Sequence, residues 1–170
     1  VALEWLKERN WFFKLSAYQA RLEAWLSQDP SPVQPAFRRN EMLGFVRQGL
    51  EDFSISREGA GWGIPFPIRA DGTSAIAHDG TADPSTGTIY VWYDALINYL
   101  TGAGFPMSPD GAPWWPADLQ IIGKDINRFH SIFWPAMLCS AGLEAPKQIW
   151  VHGWLLSSGE RMSKSRGNFL

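Results

Sequence analysis

Apolar residues recur at three- and four-residue steps along the front of the chain, at Leu3, Leu6, Leu15, Tyr18, Leu22, Trp25 and Leu26. The spacing predicts a helical segment over the first 27 residues. The cluster Asn10-Trp11-Phe12-Phe13 interrupts that register and marks a break in it. Ser27-Gln28-Asp29-Pro30-Ser31-Pro32 reads as a linker, because its two prolines and short polar side chains deny a helix its donors. A second helix is expected from about Arg39 to Gln48, closed by Gly49. Residues 52–57 and 63–67 read as extended, with Pro65 and Pro67 confining the latter to an edge or a bulge.

Residues 70–87, rich in Gly, Asp, Ser and Thr, are expected to form an exposed loop or a weak hairpin. The β-type run Thr88–Trp92 leads into a helical stretch from Asp94 to Leu100, and a Gly/Pro-rich loop covers 102–118. Leu119–Ile122 reads as a buried strand ending in Gly123-Lys124-Asp125, followed by a helix from about Asn127 to Ala141 and a further strand, Gln148–His152. Strand, helix, strand in that order predicts a right-handed βαβ crossover and a parallel sheet, hence an α/β fold. Leu155-Leu156 then leads into a terminal loop.

At 170 residues the chain fits one domain or a large part of one, with enough apolar and aromatic content to bury a core. The net charge of −2 gives no broad basic field, so any polynucleotide contact must be local or supplied by other parts. The lone Cys139 can form no internal disulfide and has no partner for a zinc site, which fits a reducing cytoplasm, and its apolar surroundings predict a buried thiol. No stretch reaches the length of a membrane span. The start at Val1 and the stop just after Gly167 read as a chain cut at both ends.

Chemistry is sought at the carboxyl ends of strands, where open α/β sheets bind ligands. After Ile122, Gly123 admits close approach and Asp125 can accept from an ammonium or a ribose hydroxyl, although the same tripeptide also fits a plain helix N-cap. After Val151 come His152 and Gly153. The last residues gather Arg161, Lys164 and Arg166 around Ser163 and Ser165, with Gly159 and Gly167 on either side, a loop suited to polyphosphate. A basic tail of that composition also fits a solvated surface segment. Trp92, Ala95, Leu96 and Tyr99 stand at i, i+3, i+4 and i+7, and Ile126 and His130 at i, i+4; each stripe is either core or the wall of a pocket. Arg57 fits a structural ion pair as well as a site, His78 a solvated loop, and Trp114 and Trp115 have no assigned role.

Arg161-Met162-Ser163-Lys164-Ser165 resembles the Lys-Met-Ser-Lys-Ser signature of class I aminoacyl-tRNA synthetases, with arginine at the first position. The segments Asn10–Ser16, Asp52–Arg57, Trp62–Pro65, Tyr90–Tyr99, Ile122–Ile126 and Phe129–Ala136 stand in the order found in methionyl-tRNA synthetases. The resemblance implies the second half of a Rossmann-like catalytic domain over 51–170, preceded by a helical segment, 1–50, that follows the connective insertion. It also implies that the first half of the nucleotide fold and the anticodon-binding domain lie elsewhere. The implied reaction is ATP-dependent activation of methionine and its transfer to the 3′ end of tRNA(Met), with Mg2+ accompanying ATP. Lys164 and Arg161 are the implied catalytic residues. Gly123, Asp125, His152, Arg161, Ser163 and Lys164 are implied at ATP, and Arg57, Trp92, Ala95, Leu96, Tyr99, Ile126 and His130 at methionine. No metal site is expected in this stretch, since the family's zinc ligands lie in the insertion. Two rivals remain: a leucine-, isoleucine- or valine-type synthetase sharing the signature loop, and a non-catalytic tRNA-binding remnant.

Overall fold

The front of the chain departs from the expected long helix. A computed structural model describes residues 7–59, 62–105, 114–163, 165, 167 and 168. In it the chain forms a two-residue strand, β1 (Phe12–Phe13), a 3-10 turn at Leu15–Tyr18 and only then helix α1 (Gln19–Leu26). Leu3 and Leu6 lie outside the described residues. The register breaks because Phe13 is buried in an aromatic cluster, with ring centroids 5.5 Å from Tyr18 and 5.6 Å from Phe53, which holds the backbone extended.

The expected linker runs straight into a strand of the main sheet, β2 (Val33–Gln34), which the proline-rich composition concealed. Helix α2 (Ala36–Arg47) begins three residues earlier than expected, with extended Pro35 as its N-cap, and stops before Gly49 at φ 101°. β3 (Phe53–Ser54) pairs antiparallel with β1, and β4 (Ser56–Arg57) with β5 (Thr88–Ile89). Gly87 is required at that second pairing: at φ 77° its backbone lies so close to Arg57 that a Cβ would run into the Arg57 carbonyl oxygen. The loop between β4 and β5 has the weak hairpin character expected of it, held by the isolated bridges Ile68↔Ser74 and Ile76↔Ala82.

Val91 and Trp92, expected at the end of a β run, instead open helix α3 (Val91–Gly102). Local β propensity yields here to packing, since the helix buries Leu96 and Leu100 in the core and carries Asp94 in its first turn, where an anion suits the dipole. β6 (Gln120–Gly123) leads through a 3-10 turn, Lys124–Ile126, into a helix that widens to a π turn at Phe129–Phe133 and continues as α4 (Trp134–Ser140). The widening falls directly before Pro135, which has no N–H for the Ser131 carbonyl and whose ring crowds it. β7 (Ile149–His152) returns parallel to β6, and β8 (Leu156–Ser157) and β9 (Glu160–Arg161) form a hairpin.

The fold is thus α/β: among the described residues, four α-helices accompany a three-stranded parallel sheet in the order β2-β7-β6. The period of two sorts the faces. Ile122, Ile149 and Val151 point into a core that includes Leu26, Val33, Val46, Ile132 and Trp134, while Ile121 and Trp150, paired across the sheet, are exposed. Trp115, unassigned from sequence, packs edge-on against Trp134 at 5.7 Å and donates to the Glu144 carbonyl at 3.0 Å; Trp114 and His78 are exposed. Cys139 is half-buried rather than buried, because it faces a groove between α1 and α4 lined by Leu22, Trp25 and Leu143. No helix among the described residues is long and apolar enough to cross a membrane.

Candidate functional site

The stretch from Gly123 to Phe133 carries two groups of side chains, one polar at the strand ends and one aromatic within the molecule. Gly123 and His152 are directly paired at the carboxyl ends of β6 and β7. A Cβ at position 123 would meet the His152 ring at 3.7 Å, an ordinary contact, so the surface over Gly123 is open up to that ring. Asp125 accepts from Arg161 Nη2 at 3.0 Å and from the Trp154 indole Nε1 at 2.9 Å, both on Oδ2. The β8–β9 hairpin therefore reaches back to the strand end, and it is through Asp125 that the first cation of the terminal loop is held there. Ser163 follows: its backbone N–H donates to Asn168 Oδ1 at 2.9 Å, and its hydroxyl lies 2.8 Å from that of Ser165. Asn168 Nδ2 in turn donates to the Arg161 carbonyl at 3.1 Å, so Asn168 clasps the loop that carries Lys164. Lys164 itself lies outside the described residues. Sequence reasoning missed Asn168 and Trp154; their signals were an amide near the end of a Ser/Gly loop and an aromatic two residues beyond a strand.

The second group surrounds a cavity of about 240 Å³, lined by Arg57, Trp92 and Leu96 together with Phe53, Tyr90, Tyr93, Phe129, Phe133 and Met137. Phe53 and Phe133 stack at 4.5 Å, and Trp92 stacks on Phe129 at 5.1 Å. Arg57 stands with its Cζ 3.9 Å from the Tyr90 ring centroid and donates through Nη1 to Ser54 Oγ at 2.8 Å and the Ser56 carbonyl at 2.7 Å. The cavity therefore offers aromatic and aliphatic walls, a thioether and one fixed cation, which suits a short apolar side chain attached to an anionic group. Of the residues expected at this site, Arg57, Trp92 and Leu96 line the cavity. Ala95 is exposed and does not line it.

Tyr99, Ile126 and His130 form a separate hydrogen-bonded relay. The Ile126 carbonyl can only accept, so His130 carries its proton on Nδ1 and donates across 3.0 Å; Nε2 then accepts from the Tyr99 hydroxyl across 2.8 Å. Burial, offset in part by the bond to Ile126, holds the imidazole pKa below its ordinary 6.5, and burial likewise raises that of Tyr99. The histidine is thus neutral in the folded protein at neutral pH. As pH falls below about 6.5 the unfolded chain takes up this proton before the folded one, so stability drops through that window and is indifferent to this group above it. The expected result is a melting temperature that falls as pH drops below about 6.5 and falls less in His130→Gln. An equal fall in the variant, followed by circular dichroism, would assign the effect to other groups.

Among the described residues no three His, Cys, Asp or Glu side chains gather in a metal-binding group. Asp125, the acid at the strand ends, is committed to Arg161 and Trp154. The donor set of the described residues does not fit a protein-held Mg2+.

Comparison with known proteins places nearly the whole chain in a family. The family model described as tRNA synthetases class I (M) matches residues 2–170. The methionine–tRNA ligase of Thermosynechococcus vestitus is 48% identical over 176 residues, covering 99% of this chain and 30% of that protein. That of Rhizobium meliloti is 47% identical over 168 residues, covering 98% and 30%. Among solved structures, Mycobacterium tuberculosis methionyl-tRNA synthetase bound by methionyl-adenylate superposes with a TM-score of 0.79 at 46% identity, over 98% of this chain and 30% of that one. The chain spans about 30% of the length of these relatives. With a model that matches nearly every residue and a likeness that extends to the backbone, the chain belongs to the methionyl group of class I tRNA synthetases.

Proposed function

We propose that the chain is the catalytic segment of a cytoplasmic methionine–tRNA ligase, which joins methionine to ATP as methionyl-adenylate and passes the methionyl group to the 3′ end of tRNA(Met). The observation that carries the reading is the junction at Gly123–Phe133, where one continuous stretch of chain borders both a cation-bearing strand end and an aromatic cavity. The relatives named above are methionine–tRNA ligases, and one binds methionyl-adenylate. On this reading the parallel sheet is the second half of a Rossmann-like nucleotide fold over 51–170. Residues 1–50 follow the connective insertion, and Val33–Gln34 reaches across to pair with β7.

Each group then has a task. Gly123, Asp125 and His152 border adenosine at the carboxyl ends of β6 and β7, the end at which open α/β sheets bind ligands. Arg161 and Ser163 meet the phosphates, and Lys164 meets the charge that builds on the α-phosphate and departing pyrophosphate as the methionine carboxylate attacks. The cavity of Arg57, Trp92 and Leu96 takes the thioether side chain. Ala95, on the exposed side of α3, lies outside that cavity, and the relay Tyr99–His130–Ile126 ties α3 to the helix that carries Phe129 and Phe133 in the cavity wall. Size alone separates apolar side chains poorly, at roughly 1–3 kcal/mol per methylene, so contacts between the sulfur and the aromatic walls add discrimination. Mg2+ arrives as the counter-ion of ATP rather than on a carboxylate cage of this chain.

Amino-acid-dependent ATP–pyrophosphate exchange by the complete enzyme tests the proposal. Methionine should support exchange and leucine, isoleucine and valine should not. Residues 1–170 alone should be inactive, because half of the nucleotide fold is absent from them. Exchange supported by leucine or valine in preference to methionine would replace this reading with the rival specificity.

A further inference from the structure

Trp154 stands two residues beyond β7 with no role in the reaction described above. It is half exposed, yet three charged side chains from two parts of the chain, Lys124 and Asp125 after β6 and Arg161 in β9, converge on it. Lys124 Nζ lies 3.4 Å and Arg161 Cζ 4.7 Å from the centroid of its ring, while its Nε1 donates to the same Asp125 oxygen that Arg161 contacts. Two cations held near one another repel, and one carboxylate neutralises only one of them. The electron-rich indole face offsets the remainder, and its N–H fixes the carboxylate oxygen that faces Arg161. An aliphatic side chain in that position would do neither.

We propose that Trp154 is a positioning residue for the nucleotide, gathering Lys124 and Arg161 at the carboxyl ends of β6 and β7 so that a triphosphate meets both cations already in place. The proposal rests on the reading of those strand ends as the ATP site. Lysine and arginine carry long, rotamer-rich stems, and holding two of them before the ligand arrives lowers the ordering cost of binding. A phosphate oxygen then replaces Asp125 as the partner of Arg161, an exchange of one anion for another. Lys124 keeps its place against the ring throughout.

Calorimetric titration of the complete enzyme with ATP reads this directly, whichever amino acid is activated. Trp154→Leu should weaken ATP binding about five- to tenfold, equivalent to about 1–1.4 kcal/mol. Trp154→Phe, which keeps a ring face and loses only the indole N–H, should stay within about twofold of the parent. In a Lys124→Ala background the effect of Trp154→Leu should shrink, since one of its two cations is gone. In pyrophosphate exchange the ATP KM should rise with methionine KM unchanged. Unchanged ATP affinity in Trp154→Leu overturns the proposal, and so does a loss in Trp154→Phe as large as in Trp154→Leu. Parallel losses of ATP and methionine affinity with a lowered melting temperature would make Trp154 a structural residue and overturn it as well. Failure of methionine to support exchange, with the ATP effects intact, would overturn the amino-acid assignment and leave this one standing.

Discussion

Lys164→Ala in the complete enzyme should lower the rate of methionine activation by about a hundredfold or more, with methionine affinity little changed. The expectation follows from where charge appears. ATP is already anionic when bound, but the α-phosphate and the departing pyrophosphate gain charge only as the carboxylate attacks, and a mobile ammonium that meets them then lowers the barrier without over-stabilising the bound nucleotide. The loop around Lys164 has the support such a role needs. Arg161 is tied to Asp125, and Asn168 bonds both the Ser163 N–H and the Arg161 carbonyl. Arg161→Ala should be milder, since a guanidinium already paired with Asp125 serves ground-state binding more than the transition state. Pre-steady-state measurement of adenylate formation separates the two. A loss from Arg161→Ala equal to or greater than that from Lys164→Ala would exchange their roles.

Trp92→Ala and His130→Ala should each raise the methionine KM by about tenfold while ATP KM stays nearly constant, the loss of roughly one well-placed contact. The two substitutions differ in what else they disturb. Trp92 is 47% exposed and stacks on Phe129 at the cavity wall, so its removal costs the fold little. His130 is buried, and truncating it strands the Tyr99 hydroxyl and the Ile126 carbonyl, at about 1–3 kcal/mol of stability. Trp92→Ala is therefore the cleaner probe of the pocket. If both variants lose many degrees of melting temperature with methionine KM untouched, the stripes on α3 and on the helix after Gly123 are core and the pocket lies elsewhere.

The helical stripe on α3 illustrates what spacing can and cannot say. Trp92, Ala95, Leu96 and Tyr99 do follow one another on a helix, but Leu96 enters the core, Trp92 and Tyr99 stay partly exposed, and Ala95 is open. Periodicity specifies which residues share a face; the neighbours of that face decide what it borders. The cavity is built mainly from aromatics far apart in sequence, Phe53, Tyr90, Phe129 and Phe133, none of which the stripe itself pointed to.

The chain's own order of residues determined the parallel pair β6–β7 with its helical crossover, the glycine-bearing strand end at Gly123 and the cationic loop after β9, because each depends on contiguous apolar runs and local turn chemistry. Tertiary structure alone decided the rest. Val33–Gln34 is a strand only because the Ile149 N–H finds the Pro32 carbonyl at 2.7 Å; two residues between prolines have no periodicity to detect. Helix α1 starts late because Phe13 is drawn into an aromatic cluster with Phe53 and Tyr93, contacts that no local window contains. The joining of Asp125 to both Arg161 and Trp154 likewise spans up to 36 residues of chain, so it exists only once the sheet has brought the ends of β6 and β7 side by side.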